Sequence, residues 1–326
     1  MIFKSNHPDI EIPQDGIFQY VMSNQKGISD NKIIYLDGNT SKGYTFGKLK
    51  SESKRFAAGL RDKVGFKPGD VLAIYSPNQV DYPMVLLGTI AAGGKVTPVD
   101  PKYVASELSY QLLDSGASIL IVHPDLLEIA IAASKGINNP NLGYFYLGAT
   151  LIIFPSYNIE TFCRCIQKYK IDYIHAAPPV ILDLINYSDA KKYDLSSVKI
   201  IVSAGAPLGF ELEYMFYELF KIRIKQAYGL SEALFVHYSD SNNIITGSCG
   251  ILLPNIKVKI LSNDGHELGT KEPGELCVHG PSIMKGYLNN PSAMNAAFDN
   301  DGFLHTGDIA YVDGQGFILI FDYISN

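Results

Sequence analysis

Three side chains with complementary chemistry lie in the stretch Lys225-Gln-Ala-Tyr-Gly-Leu-Ser-Glu-Ala233. Tyr228 offers a ring on which a base can stack, Ser231 a hydroxyl for a phosphate oxygen, and Glu232 an oxygen ligand for Mg²⁺. We expect the stretch to follow a parallel strand and to turn through Gly229, at the strand end where open α/β sheets bind ligands. The alternative is an ordinary strand-to-helix turn, with Ser231 as cap and Glu232 in the first helical turn.

A second stretch is Asp301-Gly-Phe-Leu-His-Thr-Gly-Asp308, in which one glycine precedes the segment with the histidine and another precedes the final aspartate. An aspartate held by a glycine turn can accept hydrogen bonds from two adjacent ribose hydroxyls. The alternative is a β-turn that favours glycine and aspartate for conformational reasons only. From spacing alone, both interpretations of each stretch stay open.

Other common signatures are absent from the sequence. There is no G-x-G-x-x-G fingerprint, no G-x-S-x-G elbow and no H-E-x-x-H motif. Residues 88–95 resemble a phosphate-binding P-loop, but the spacing is one residue off and Val96 stands where a hydroxyl is needed. We interpret this segment as a packed helix end. An unrelated α/β enzyme such as a dehydrogenase is not supported.

The elements that must position these residues alternate between strand and helix. Short apolar runs predict buried strands at residues 71–75, 95–99, 118–122, 149–154, 171–175, 198–203 and 222–226. Helical segments separate them; Asp81 and Asn158 are predicted caps, and Pro178-Pro179 opens another helix. This alternation predicts crossover units and a largely parallel sheet.

The pattern changes after about Ser239, where short strands at 256–261, 274–278, 310–312 and 317–321 are separated by turn residues. We therefore predict an α/β fold with three parts. Two parallel-sheet α/β lobes, residues 1–142 and 143–239, precede a small β-rich lobe of residues 240–326.

The composition favours an ordered globular protein and excludes several classes. Hydrophobic residues make up 47% and charged residues 18% of the 326 residues, enough for a sizeable core. The net charge of -6 argues against a nucleic-acid partner, which requires a basic footprint. The four cysteines, at positions 163, 165, 249 and 277, are not a disulfide framework in so long a chain, and we expect them to be reduced packing residues.

No targeting or membrane signal is evident in the sequence. The N-terminus lacks a signal-peptide pattern, and the last three residues are not a peroxisomal signal. The longest near-apolar run, residues 144–154, is much shorter than the ~20 residues of a membrane helix. We expect an intracellular, cytoplasmic protein without a transmembrane segment.

The motifs Gln226–Glu232 and His305–Asp308, with Ser203-Ala-Gly-Ala-Pro-Leu208 ahead of them, together resemble one family. The chain is similar to the N-terminal domain of the adenylate-forming enzymes, which include acyl-CoA synthetases, 4-coumarate–CoA ligases and firefly luciferases. The 4-coumarate–CoA ligase branch is the most similar. Supporting stretches are Gly247-Ser-Cys-Gly-Ile-Leu-Leu-Pro-Asn255, Pro273-Gly-Glu-Leu-Cys277 and Ile283-Met-Lys-Gly-Tyr-Leu-Asn289.

The resemblance implies a reaction and a set of site residues. Such enzymes activate a carboxylic acid with ATP and Mg²⁺, release pyrophosphate and pass the acyl group to CoA. Ser231 and Glu232 would be the catalytic residues, on a phosphate and on Mg²⁺ respectively. The nucleotide and acyl residues would be the adenine loop of Ala204, Gly205, Ala206 and Pro207, the adenine-packing Tyr228, the ribose-binding Asp308, and Gln226, Ala227 and Gly229 on the acyl side.

The chain also departs from the family pattern. A lysine-containing loop that grips the β- and γ-phosphates belongs between Val122 and Leu147, but Asn138-Asn-Pro-Asn-Leu142 runs directly into sequence that resembles a later part of the family. We infer that a long internal segment is missing, together with an aromatic-histidine motif of the acyl pocket. Tyr323 stands where a ribose-binding arginine belongs, and the sequence stops before the family's C-terminal domain.

Two hypotheses follow from these departures. In the first, the chain is an acyl- or aryl-CoA ligase family member whose present sequence is incomplete or alternatively spliced. This chain would then have low or no activity, since one charge-stabilising donor is worth roughly 100- to 1000-fold in rate. In the second, it is a non-catalytic adenylate-binding or interaction protein of the same fold.

Overall fold

A computed structural model describes residues 1–133, 151–154, 157–239 and 243–323, with the side chains of Leu151 and residues 321–323 left out. Two compact units result: residues 12–157 form one, and residues 1–11 with 158–326 form the other. The junction predicted at residues 138–150 lies outside the described residues. The predicted division into three lobes at residues 142 and 239 stays a prediction.

The unit of residues 12–157 contains two small sheets with helices between their strands. In chain order, after the strand β1 (Ile2–Lys4) of the other unit, its elements are α1 (Ile17–Met22), β2 (Ile33–Asp37), β3 (Gly43–Thr45), α2 (Phe46–Val64), β4 (Val71–Tyr75), α3 (Tyr82–Ala91), β5 (Lys95–Val99), α4 (Ala105–Ser115), β6 (Ala117–Val122), α5 (Leu127–Ala133) and β7 (Leu151–Ile153). Strand β4 pairs in parallel with both β5 and β6, and β2 pairs in parallel with β7 and antiparallel with β3. None of the helices in the described ranges combines the length and the apolar composition that crossing a membrane requires.

The local signals of this unit explain most of its element boundaries. Strand β4 coincides with the predicted strand, because an apolar run such as Val-Leu-Ala-Ile-Tyr suits a strand buried on both faces. Helix α2 begins where the Thr45 hydroxyl accepts a hydrogen bond from the Lys48 amide at 3.2 Å. Asp81 precedes α3 as predicted, but its side chain makes no capping bond; it accepts a hydrogen bond from the Tyr44 hydroxyl at 2.7 Å instead.

The other unit carries both motifs on two five-stranded sheets. Its remaining elements are α6 (Ile159–Tyr169), β8 (Tyr173–Ala176), α7 (Pro178–Asn186), β9 (Ile200–Ser203), α8 (Phe210–Phe220), β10 (Arg223–Leu230), β11 (Leu234–Tyr238), β12 (Ile251–Leu252), β13 (Lys257–Leu261), β14 (Gly274–His279), α9 (Pro291–Ala297), β15 (Leu304–Val312) and β16 (Ile318–Tyr323). One sheet has the order β12-β11-β10-β9-β8, in which β8, β9 and β10 are parallel. The other, β1-β13-β14-β15-β16, is antiparallel throughout. The predicted α/β class with a β-rich part is confirmed.

Most residues of the two motifs lie inside strands, which differs from the predicted turns; Ser231 and Glu232 of the first motif and Asp301 of the second lie in turns. Strand β10 does not end before the first motif: it continues to Leu230, changing from parallel pairing with β9 to antiparallel pairing with β11 at Gln226 and Ala227. The residues from His305 to Asp308 likewise lie within β15, opposite an irregular stretch of β14. The second motif therefore begins in a turn, in which the Gly302 amide donates to the carbonyl of Asp299 at 3.1 Å, but the β-turn interpretation does not hold for His305 to Asp308, which lie in a strand.

At Gly229 the backbone of strand β11 lies close against β10. A methyl group on Gly229 would lie 2.0 Å from the carbonyl oxygen of Leu234, far inside van der Waals contact. The register of the strand pair also shifts between Tyr228 and Gly229. A glycine here therefore permits the hairpin that places Ser231 and Glu232 at the end of β10.

We predict that Gly229→Ala destabilises the protein by about 1–3 kcal/mol or more, because the added methyl group forces backbone apart. Urea unfolding followed by circular dichroism would measure this loss. The matched control is Gly314→Ala in the same unit, where a methyl group meets nothing within 4 Å and the change should stay within about 0.5 kcal/mol. Equal effects of the two substitutions would contradict the proposed close approach.

Candidate nucleotide site

A hydrogen bond joins the two motifs. The Tyr228 hydroxyl on β10 donates to Oδ2 of Asp308 on β15, although the two residues lie 80 positions apart in the chain. Both residues are nearly inaccessible, at 2% exposure for Tyr228 and 6% for Asp308. The Tyr228 ring packs in a cluster with Val236, Leu276 and Ala310, among other apolar residues. The two sequence motifs thus meet at one place between the two sheets of this unit.

The electrostatics of this pair follow from its burial. Burial raises the pKa of the Asp308 carboxyl above its ordinary value, the nearby charge of Glu275 raises it further, and the Tyr228 hydrogen bond opposes both effects. His237 is the cross-strand partner of Tyr228, with ring centroids 5.7 Å apart. Complete burial lowers the pKa of His237 to about 3. Tyr228 therefore contacts both a neutral imidazole and a carboxylate whose ionised form its hydrogen bond favours.

The predicted adenine loop follows strand β9 and is held at its far end. Its members Gly205, Ala206 and Pro207 are exposed and Ala204 is half-buried. The Gln226 amide group binds the backbone of Leu208 twice, accepting from its N–H at 3.3 Å and donating to its carbonyl at 3.1 Å. Gln226 is thus brought to the adenine loop, where it can act as a positioning residue.

Glu213 is the residue of this network that sequence reasoning missed. Its Oε2 accepts from the Gln226 side chain at 3.2 Å and from the Gly247 amide at 3.1 Å, and it is 6% exposed. Burial raises the pKa of Glu213 despite these donors. Acidic residues are common in the first turns of helices, so the position of Glu213 in α8 does not by itself indicate this role.

The predicted catalytic residues lie at the hairpin turn between β10 and β11. Ser231 is exposed and Glu232 half-buried. Oε1 of Glu232 accepts a hydrogen bond from the Tyr287 hydroxyl at 2.9 Å, and its backbone carbonyl accepts from the Met284 amide at 2.7 Å. Because a strand follows this turn, the strand-to-helix alternative for the first motif is wrong.

The predicted site residues therefore occupy three connected places. The loop from Ala204 to Pro207 is tied to β10 by Gln226; Tyr228 is tied to Asp308; and Ser231 and Glu232 project from the end of the same strand. Ala227 and Gly229 lie between them on β10. The Tyr228 ring shows almost no exposed face, so stacking of a base on it requires neighbouring side chains to move.

Solved structures with the same fold are adenylate-forming enzymes. The luciferase-like enzyme of the nonluminescent mealworm Zophobas morio has a TM-score of 0.86 at 22% identity, covering 99% of this chain and 100% of that one. An anthranilate CoA ligase in complex with anthranoyl-AMP has a TM-score of 0.85 at 16% identity, covering 95% of this chain and 77% of that one. The fold is thus that of the N-terminal domain of an adenylate-forming enzyme.

The sequence comparisons identify the family. The family of AMP-binding enzymes matches residues 24–141 and 136–288, and the chain belongs to this family. A 4-coumarate–CoA ligase of Pinus taeda is 28% identical and is matched over 99% of this chain and 79% of the ligase. The expected resemblance to acyl- and aryl-CoA ligases is confirmed.

The same comparisons bear on the missing internal segment. The alignment with the Pinus taeda ligase spans 429 positions, and 429 less the 326 residues of this chain leaves at least 103 positions without a counterpart here. The two family matches overlap at residues 136–141, so no residues of this chain separate them. The interruption lies between Val122 and Leu147, where the sequence predicts that the family's phosphate loop is missing.

We predict that Tyr228→Phe destabilises the protein by about 1–3 kcal/mol at neutral pH, because it leaves a buried carboxylate without a donor. Urea unfolding would measure the change. The matched control, Tyr287→Phe, removes the hydroxyl that donates to Glu232 at a half-exposed position, and water can replace it, so we expect about 0.5 kcal/mol or less. Equal losses of unfolding free energy in the two variants would contradict the stabilising role of the buried Tyr228–Asp308 bond.

The pH dependence of the same variant is a separate prediction. The folded-state pKa of Asp308 is already raised, so its carboxylate opposes folding increasingly as the pH rises through and above the ordinary aspartate range. Removal of the Tyr228 hydroxyl raises the folded-state pKa of Asp308 further, so the pH range in which Asp308 opposes folding extends upward. The destabilisation by Tyr228→Phe should therefore shrink between about pH 7 and about pH 4 as Asp308 protonates. Unfolding curves at several pH values would check this, and a constant difference would contradict it.

Proposed function

We propose that this chain binds the adenosine part of ATP or of an acyl adenylate, as an acyl- or aryl-CoA ligase family member with low or no ligase turnover. The observation that carries the proposal is the hydrogen bond between Tyr228 and Asp308, which unites the two motifs expected on the adenine and on the ribose. The family supplies the general reaction, since its members adenylate a carboxylic acid with ATP before transfer to CoA.

Each site residue receives a role from its chemistry and position. Asp308 accepts hydrogen bonds from the ribose hydroxyls, since a carboxylate has two oxygens and Tyr228 uses Oδ2. Tyr228 orients Asp308 and lies beside the adenine. The exposed loop of residues 204–207, which Gln226 holds at Leu208, forms the other side of the adenine pocket. Ala227 and Gly229 continue the same strand toward the acyl group.

The phosphate end of the site would use Ser231 and Glu232. The Ser231 hydroxyl is exposed and can donate to an oxygen of the α-phosphate, on which charge builds as the substrate carboxylate attacks. Glu232 fits Mg²⁺, because this ion commonly takes one or two carboxylates together with substrate phosphates. Its carboxylate is half-buried and oriented by Tyr287. When bound, Mg²⁺ would neutralise phosphate charge during the departure of pyrophosphate.

Two features support weak turnover. The two family matches meet where we expect the lysine-containing loop for the β- and γ-phosphates, and we infer that this loop is missing. In addition, the register places Tyr323 opposite Asp308 across β15 and β16, at the position where the family resemblance leads us to expect an arginine. Loss of one preorganised donor reduces a rate by roughly 100- to 1000-fold. Turnover therefore suffers from both losses, whereas adenosine binding loses only the arginine and keeps Tyr228 and Asp308.

The second candidate function is adenylate binding without catalysis, and the interrupted match favours it as well. The two candidates share the Tyr228–Asp308 site and differ only in whether an acid reacts with ATP there. Binding and turnover therefore have to be measured separately on the same chain.

We predict that the chain binds AMP and a non-hydrolysable acyl-AMP analogue in isothermal titration calorimetry. Asp308→Ala should weaken both about tenfold or more, because each ribose hydrogen bond to a charged group is worth about 1.5–3 kcal/mol. The control is Asp264→Asn, at an aspartate whose side chain is 71% exposed in a turn of the same unit. A folded chain that binds neither ligand, or equal affinities for the two variants, would contradict the proposal.

For turnover, we predict that ATP–pyrophosphate exchange with fatty and cinnamic acids is at least about 100-fold slower than in an intact ligase assayed in parallel. The residual exchange should fall further in Glu232→Gln. Exchange at the rate of the intact ligase would overturn the proposal of low turnover, whereas AMP binding with no exchange at all would select the non-catalytic candidate.

A further inference from the structure

Three side chains of types that bind metals lie together on strands β14 and β15. None of them was given a role in the nucleotide site above. Cys277 and His305 are cross-strand partners, and Glu275 lies two residues before Cys277. The Cys277 sulfur is 3.6 Å from Nδ1 of His305, and the same nitrogen is 2.9 Å from Oε2 of Glu275. The three ligand atoms all lie within 4.8 Å of one another.

These distances resemble those in a tetrahedral zinc site. With a Zn–S bond of about 2.3 Å and a Zn–N bond of about 2.0–2.1 Å, the sulfur and nitrogen of such a site lie about 3.6 Å apart. The Cys277–His305 separation already has this value. The shorter distance from His305 to Glu275 is that of a hydrogen bond, so a small outward movement of this carboxylate would admit an ion between the two.

The surroundings of the cluster favour one open coordination position. Cys277 is fully buried, whereas the side chains of His305 and Glu275 are each 30% exposed. Oε1 of Glu275 accepts a hydrogen bond from the Gly307 amide at 3.2 Å, which leaves Oε2 directed at His305. Such outer hydrogen bonds orient the ligands of metal sites. An ion could enter from the exposed side and keep water as its fourth ligand.

We propose that Glu275, Cys277 and His305 form a binding site for Zn²⁺ or a divalent ion of similar softness. A thiolate, an imidazole and a carboxylate together suit zinc and cobalt, whereas Mg²⁺ prefers oxygen ligands only. On binding, the ion forms a bond to the Cys277 sulfur and the thiol proton leaves to solvent. The occupied site would link β14 to β15 three residues before Asp308.

The test is a Co²⁺ titration of the metal-free whole chain, followed by absorption spectroscopy. We expect one equivalent of Co²⁺ to produce a thiolate charge-transfer band and the intense visible bands of a four-coordinate ion, both removed by Zn²⁺ and neither by Mg²⁺. Cys277→Ser should abolish the charge-transfer band. The matched control is Cys249→Ser, at another buried cysteine of the same unit, and it should retain the band.

A second variant tests the site independently, in case the Cys277 variant does not fold. His305→Gln alters a partly exposed side chain and should keep the circular dichroism spectrum of the parent while weakening Co²⁺ binding by about 10- to 100-fold or more. The proposal is overturned if the parent chain gives no charge-transfer band, if the band persists in Cys277→Ser, or if folded His305→Gln binds Co²⁺ as tightly as the parent.

Discussion

The hydrogen bond from Tyr228 to Asp308 is the interaction on which the rest of this site depends. It fixes a strand of the mixed five-stranded sheet against a strand of the antiparallel sheet, at residues 80 positions apart. A carboxylate this deeply buried is unfavourable without a donor, and apolar side chains surround the tyrosine. The same burial that makes the bond necessary also excludes water from it. In the proposed function, the bond that orients Asp308 toward the ribose therefore also fixes Tyr228 beside the adenine.

The second layer of the site consists of groups that hold backbone in place. Gln226 hydrogen-bonds to the backbone of Leu208, directly after the loop of residues 204–207, and donates to Glu213. Tyr287 holds the carboxylate of Glu232. These contacts hold the residues proposed for the adenine and for Mg²⁺, whereas Tyr323 stands where a ribose-binding arginine is expected. The interruption of the family match falls instead on the part of the sequence expected to grip the outer phosphates. We therefore propose that Tyr228 and Asp308 bind the nucleoside, and we expect weaker phosphate chemistry because the loop for the outer phosphates is expected at the interruption.

Local sequence signals were sufficient for the elements that local interactions define. The buried apolar run of β4 and the Asn158 cap of α6, whose side chain accepts from the Thr161 amide at 3.0 Å, were predictable for this reason. The sequence could not reveal that β10 continues through the first motif, because the hairpin depends on contact between Gly229 and the backbone of β11. Nor could it reveal the buried roles of Glu213 and His237, whose environments arise from distant segments. The family resemblance identified the motifs; only the fold showed that they touch.

The measurement that tests the central claim most directly is photoaffinity labelling with an azido derivative of AMP, followed by peptide mass spectrometry. If the two motifs form one adenosine site, the label attaches to peptides containing residues 203–208, 226–232 or 305–308, and excess AMP prevents the labelling. Labelling that AMP does not prevent, or AMP-sensitive labelling confined to peptides elsewhere in the chain, would contradict the account.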